Sequence, residues 1–497
     1  METKLTDIKK VNLKKGKFLF LPFFSDEKNK TKALGILSEI SGLADFIKNI
    51  NEGETRMFFS GKQSLIFLNI GEKKKWSQRK FLLTVRKMTS FLKENNIKEA
   101  VFFLEEITPQ NSDLKDLSRQ ISENISMSDY RFLKYKEKPK GGWPGIKSIE
   151  IVWPAHADFK KDFEEGKIVG RIINFVRDLS NIPGGEMTPE KLALAAKEAV
   201  KKTKKISIEV FNKEKIKKLK MGGILGVSQG SSQEPKLIIL KYFGRKGDKK
   251  IDLAFVGKGV TFDTGGLDIK PIEAMKDGMH MDMTGGAVVL GAILAIAEIK
   301  IPLNIVSIIP TVENMPSGEA LRPGDILRAY NGKTIEIISP DAEGRIILAD
   351  ALSYATDIFK PKMIVDVATL TGAVLAALGQ RAIGLFTNLS KMESQLREIG
   401  ENSGDYVWPL PCWEEYEEEI KGTFGDIINS GKVRYGGAIT AALFLKNFIK
   451  ETPWVHLDIA STMTSIEGQG LAKGSIGSGT RYLIRLAQDF KDIENNL

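Results

Sequence analysis

The strongest constraint on the fold lies between about residue 190 and the C-terminus. There, short apolar runs without polar alternation recur: Lys236-Leu-Ile-Ile-Leu, Leu253-Ala-Phe-Val, Ile305-Val-Ser-Ile-Ile and Met363-Ile-Val-Asp-Val. A strand that is apolar at successive positions has no solvent face, so its sheet is covered on both sides. Stretches with helical spacing, among them Ala287–Glu298 and Ile346–Tyr354, fall between these runs. Strands alternating with helices predict an α/β domain with a mainly parallel sheet and helices on both faces. Ligands of such a sheet sit beyond the carboxyl ends of its strands.

The 497 residues exceed what one such domain needs. The first 165 residues read as a smaller α/β domain. Lys17–Pro22, Ser64–Ile70 and Ala100–Leu104 are its strands, and Gln78–Glu94 has helical spacing of Phe81, Leu82, Val85, Met88 and Leu92. Pro139, Gly141, Gly142, Pro144 and Gly145 break the segment before Trp153, which marks a domain boundary. A linker helix from about Asp158 to Leu179 opens the second domain, residues 166–497, and stops at Asn181-Ile-Pro-Gly-Gly. Thr188-Pro-Glu then supplies a cap and a first-turn proline for the next helix.

Composition narrows the chemistry. Cys412 is the only cysteine, so no intrachain disulfide forms. His156, His280 and His456 are the only histidines, which excludes zinc fingers and three-His metal sites and leaves carboxylates to hold any metal. The longest charge-free apolar stretches, Thr284–Ala297 and Val367–Gln380, fall short of the roughly 18 residues that cross a bilayer. With no targeting segment in view, the expectation is a cytoplasmic protein without a membrane partner. The formal charge is +10, and residues 1–167 carry nearly all of it, with 32 Lys and Arg against 23 Asp and Glu. Such asymmetry suits either a Lys-rich solvated surface or a nucleic-acid-binding face. No aromatic-interleaved basic motif accompanies it, which favours the solvated surface.

Three loops after predicted strands collect the reactive side chains. Gly257-Lys-Gly-Val-Thr-Phe-Asp-Thr-Gly-Gly leads on to Lys270 and presents Lys258 and Asp263. Met281-Asp-Met-Thr-Gly-Gly presents Asp282, and Ser339-Pro-Asp-Ala-Glu-Gly-Arg presents Asp341, Glu343 and Arg345. Phosphate-loop and dinucleotide patterns fail on the residues around Gly257, and Gly474-Ser-Ile-Gly-Ser-Gly follows no strand. What remains is four acids, Asp263, Asp282, Asp341 and Glu343, converging at strand ends. They would repel one another unless cations neutralised them, and two divalent ions bridged by carboxylates are a recurring hydrolytic arrangement. In an extended segment Asp341 and Glu343, two apart, would face one way.

These motifs resemble the signature of the leucyl (cytosol) aminopeptidase family of two-metal peptidases. Glu313-Asn-Met-Pro-Ser-Gly, Ala368-Thr-Leu-Thr-Gly-Ala and His456-Leu-Asp-Ile-Ala add to the resemblance, which runs from about 180 to the end. The N-terminal domain resembles the family only in size and α/β character. The resemblance implies that Lys258, Asp263, Asp282 and Glu343 hold a tighter ion and that Asp263, Asp341 and Glu343 hold a more exchangeable one, Mn²⁺ or Zn²⁺. It makes Lys270 the catalytic cation and Arg345 the anchor of a bicarbonate acting as general base. It also implies a homohexamer acting on peptide substrates. Ser339-Pro340 departs from the family's usual Asn-Thr, and Pro340 removes a backbone N–H beside a ligand.

The expected chemistry is attack on the first peptide carbonyl by a hydroxide shared between two ions, with Lys270 stabilising the oxyanion. A free α-amine that ligates one ion would select the N-terminal residue. Met279, Thr369, Gly372 and Ala460 are candidates to line an apolar side-chain pocket favouring leucine. His280 reads as a neighbour of the site and His456 as a core histidine. The competing function is an architectural nucleic-acid-binding protein working through its basic N-terminal domain.

Overall fold

The computed structural model describes residues 1–7, 17–26, 40–61, 63–110, 112–154, 158–201, 203, 205–245 and 247–497. The Lys-rich stretch 8–16 and His156 lie outside the described residues. The chain divides into two compact units, Met1–Arg171 with Ile466–Ala472, and Ile172–Ser465 with Lys473–Leu497. The division falls inside the helix Lys160–Ser180, a few residues beyond the boundary expected at 165. That 466–472 groups with the first unit has no counterpart in the local sequence pattern.

The first unit holds a six-stranded sheet of β1 (Glu2–Thr6), β2 (Phe18–Phe23), β3 (Thr55–Ser60), β4 (Gln63–Asn69), β5 (Glu99–Phe103) and β6 (Ser148–Val152), in the order β1-β6-β5-β2-β4-β3. All pairings are parallel except the β3–β4 hairpin. Successive strand residues serve opposite faces. Phe20, Ile66, Leu68, Phe102 and Ile151 join a core with α1 (Gln78–Glu94) and α2 (Leu114–Asp129), while Leu19, Leu21, Leu65, Phe67 and Val101 pack with Leu43 and Ile47 in a second core. Ser77 caps α1 and Asp113 caps α2, each accepting from a first-turn N–H. The carbonyl of Gly470 accepts from Ser90 Oγ at 3.0 Å and Ser128 Oγ at 2.6 Å, which seats the 466–472 segment.

The second unit is built on a nine-stranded sheet. Its strands are β7 (Ile206–Phe211), β8 (Lys236–Phe243), β9 (Leu253–Gly257), β10 (Gly259–Asp263), β11 (Asn304–Asn314), β14 (Met363–Ala368), β15 (Ile383–Thr387), β16 (Val407–Pro409) and β18 (Trp454–Asp458). The missing numbers belong to a small three-stranded sheet of β12 (Ile326–Arg328), β13 (Thr334–Glu336) and β17 (Ile427–Ile428). At the centre β11, β9, β14 and β18 run parallel. Helix α3 (Thr284–Ile299), buried from Thr284 to Ala297, and helix α4 (Glu343–Tyr354), buried along its whole length, both pack against β9. Together with its preceding turn, α3 is long and apolar enough to cross a membrane, but 89% of that window is buried inside the protein, as befits a core helix.

Two expectations change. The run at Lys236 forms β8, which pairs antiparallel with β11 and β7. Apolar continuity reports burial on two faces and is silent on direction. The Gly257–Asp263 stretch, expected as a loop, contains β10, because β11 extends past the end of β9 and its free edge recruits Gly259–Asp263 in parallel pairing. Lys258 is left at the joint between the two strands.

Candidate active site

All of the predicted charged residues arrive at the carboxyl ends of the central strands. At the joint, Lys258 N donates to Val367 O at 3.0 Å and Gly286 N donates to Lys258 O at 2.7 Å, so the N-terminus of α3 lies directly on the strand. Only glycine permits this approach, since a Cβ on Gly285 would stand 2.1 Å from Val367 O. Gly344 does the same service for the side chain. A Cβ there would meet Lys258 Cε at 2.5 Å and Nζ at 2.6 Å.

Lys258, wholly buried, places its Nζ 2.9 Å from Asp282 Oδ2 and 2.7 Å from Glu343 Oε1, and donates to Thr369 O at 3.0 Å. Lys270 contacts Asp263 Oδ2 at 2.9 Å and pairs with Asp341. Asp263 Oδ1 accepts from Gly265 N at 2.9 Å and Asn314 Nδ2 at 2.8 Å. Thr369 Oγ1 donates to Asp282 Oδ1 at 2.6 Å. Asp341 and Glu343 do meet, though not as an extended pair. Asp341 lies in a turn closed by Ala342 N donating to Ser339 O at 3.1 Å, and Glu343 begins α4.

Four carboxylates thus face two ammonium groups. Burial pushes Asp282 well above the usual carboxylate range and raises Asp263 as well, and Glu343 adds to both shifts. Burial likewise carries Asp341 up to about 6, against the pull of Lys270. Burial also opposes the charge of Lys258, but Asp282, Glu343 and Asp263 outweigh it and hold the lysine more basic than usual. Glu343 ends below its ordinary value because Lys258 and Lys270 overcome its desolvation. Burial draws Arg345 down to about 10, still cationic at neutral pH.

The fit to a metal is tested by the balance of carboxylates against cations. Asp282 Oδ2 and Glu343 Oε1 both meet the ammonium of Lys258, and Asp341 Oδ1 meets that of Lys270, so these buried oxygens depend on two shared cations. Four carboxylates sharing two ammonium groups away from bulk water are costly unless a further cation joins them. Asp263, Asp341 and Glu343 each offer an oxygen within 4.8 Å of the others, within reach of one ion. The donor set fits.

Of the pocket candidates, Met279 and Ala460 are half-buried and Gly372 is exposed, each at the start of a short helix. Thr369 differs from them: its backbone carbonyl is engaged with Lys258 and its hydroxyl with Asp282. His280 is half-buried. His456 is a core histidine, its Nδ1 2.6 Å from Asp366 Oδ1, whose other oxygen accepts from Trp454 Nε1 at 2.6 Å. Sequence reasoning gave no role to Asn314, Thr369 as a hydrogen-bonding residue, or Asn429. Asn314 did lie inside a quoted motif, Glu313-Asn-Met-Pro, but Asn429 carries no local signal.

Fold and site together define a carboxylate-based metalloenzyme on a covered α/β sheet. The particular family follows from comparison. Residues 174–484 match the catalytic domain of the cytosol aminopeptidase family and residues 26–139 its N-terminal domain, so the chain belongs to that family. The N-terminal match goes further than the likeness in size and character expected from sequence. A probable cytosol aminopeptidase of Clostridium tetani is 42% identical over 438 residues, covering 87% of this chain and 89% of that one. One of Methylobacillus flagellatus is 41% identical over 417 residues, covering 83% and 82%. Among solved structures, the bottromycin maturation enzyme BotP in complex with Mn is 26% identical with a TM-score of 0.83, covering 96% of this chain and 99% of that one. The chain is a metal-dependent aminopeptidase, and the comparisons favour this reading over the nucleic-acid alternative.

Proposed function

We propose that the protein releases N-terminal residues, leucine and other apolar ones foremost, from peptides, using two divalent ions. The observation that carries this reading is the surplus of carboxylates, with Asp263, Asp282, Asp341 and Glu343 sharing only the ammonium groups of Lys258 and Lys270. Lys258, Asp263, Asp282 and Glu343 would hold the tighter ion, and Asp263, Asp341 and Glu343 the more exchangeable one. Ions of this kind supply a water of lowered pKa and a Lewis acid, and an oxygen-rich donor set suits Mn²⁺ as well as Zn²⁺.

The chain's own groups do the rest. Lys258 can serve as a ligand only as a neutral amine, since its ammonium has no lone pair. Lys270, less buried than Lys258, directs its ammonium to the place where negative charge develops on the carbonyl oxygen. Asp341 has the most exposed side chain of the four acids, at 36% against 5% or less for the others, which suits the more exchangeable ion and the ligation of the peptide's free α-amine there. Arg345 keeps a buried Nε without a partner, a donor suited to a planar anion such as bicarbonate in the role of general base. Met279, Gly372 and Ala460, with the methyl of Thr369, would line the side-chain pocket. A homohexamer is proposed on family resemblance and is checked by light scattering.

The test is a panel of aminoacyl amides. Leucine amide should turn over fastest, acidic residues slowest, and N-acetyl-leucine amide not at all. Equal cleavage of the acetylated and free substrates would overturn the exopeptidase reading.

A further inference from the structure

We propose that Asn429 is a positioning residue for the reaction: its side-chain amide fixes the turn that carries Asp341, while its backbone carbonyl fixes the guanidinium of Arg345. Strand β17 pairs with β13 through Ile335–Ile427 and Glu336–Ile428, and the ladder ends with Asn429 N donating to Glu336 O at 3.1 Å. Beyond that point the backbones diverge, and the Asn429 side chain takes over as the partner. Its Oδ1 accepts from Ile338 N at 2.7 Å and from Ser339 N at 3.3 Å. Its Nδ2 donates to Ser339 O at 2.6 Å and to Ala342 O at 3.4 Å. The backbone oxygen of the same residue accepts from Arg345 Nη1 at 2.8 Å.

One wholly buried residue therefore grips both ends of the Ser339–Ala342 turn and the arginine three residues further on. Few side chains can do this. A primary amide offers acceptor and donors on one short stem. Aspartate has the acceptor without the donors and would add a fifth negative charge beside an already uncompensated group. Alanine would leave two N–H and two C=O groups of the turn without this partner. Besides its closing bond from Ala342 N to Ser339 O at 3.1 Å, the turn has three further hydrogen bonds. Ser339 Oγ accepts from Asp341 N at 3.2 Å and donates to Asp268 Oδ2 at 2.6 Å, and Pro340 O accepts from Asn314 Nδ2 at 3.1 Å. Pro340 itself has no N–H to contribute.

The inference rests on the peptidase reading only for its kinetic readout. The experiment compares wild type, Asn429→Asp and Asn429→Gln by Mn²⁺ titration calorimetry, amide hydrogen exchange of metal-free protein, and kcat and KM on leucine amide. Asn429→Asp should lower kcat and Mn²⁺ affinity by about 10–100-fold with KM changed less than about threefold, the scale seen when supporting hydrogen bonds of a metal site are lost. Exchange should rise at Ile338, Ser339 and Ala342 and stay unchanged in β9 and β14. If Asn429→Asp fails to fold, Asn429→Gln decides, since it keeps the amide but displaces it by one methylene. Wild-type kcat and Mn²⁺ affinity in a folded variant, or exchange raised evenly through the catalytic unit, would overturn the proposal. Wild-type protein that binds Mn²⁺ but hydrolyses no aminoacyl amide would instead overturn the peptidase reading.

Discussion

The two ends of strand β9 treat buried acid in opposite ways. Asp252, just before the strand, is buried. One oxygen accepts from Asn304 N at 2.8 Å, and the other pairs with Arg245 and with Lys362 at 2.9 Å. Desolvation would raise it, but Asn304, Arg245 and Lys362 together hold it below the usual carboxylate range. At the far end, Asp263, Asp282, Asp341 and Glu343 share Lys258 and Lys270, and burial lifts three of the four above their ordinary values. The first cluster is complete within the chain and serves stability. The second carries unneutralised charge, which folding alone does not reward, and that deficit marks it as a place for ligands.

Lys258→Arg, which cannot deprotonate, should cut turnover by more than about 1,000-fold, as for a residue acting in a unit with others, and should lower bound metal below two ions per chain. Two bound ions with near-normal turnover would show that Lys258 merely balances charge. Lys270→Gln should lower kcat by about 100–1,000-fold while metal content, read by elemental analysis, stays at the wild-type level. Gly344→Ala, which drives a methyl group against the Lys258 ammonium, should cost about 10–100-fold in kcat and in metal affinity. Asp252→Asn should leave kcat unchanged and lower unfolding stability by about 2 kcal/mol at pH 7. The folded-state pKa of Asp252 is depressed, so its contribution is present above the unfolded value and is lost as pH falls through the folded one. Denaturant titrations of the two proteins should therefore converge below about pH 4. A stability gap that widens in acid would contradict the account of Asp252.

Much of this was legible in the sequence, and the parts that were not share a physical cause. Apolar runs such as Leu253-Ala-Phe-Val announced a sheet covered on both faces, because burial is written into residue type. The reversal of β8 was not, because strand direction depends on how the chain returns. Asp263, Asp282, Asp341 and Glu343 stood out because each lies in a glycine-rich segment after a predicted strand. The extended reading of Asp341 and Glu343 gave the right proximity for the wrong reason: a turn and a helix start bring them together. Thr369 and Asn429 were missed as supporting residues. Their contacts reach Lys258 across 111 positions and Ser339 across 90, and a serviceable backbone carbonyl or amide leaves no trace in a local pattern.

The central claim is that the uncompensated end of β9 works only with metal. The direct measurement is leucine amide hydrolysis by protein stripped with a chelator and then titrated with Mn²⁺, with bound metal followed in parallel. The account predicts that turnover disappears with the metal and returns in step with it. Full turnover after exhaustive metal removal would contradict it.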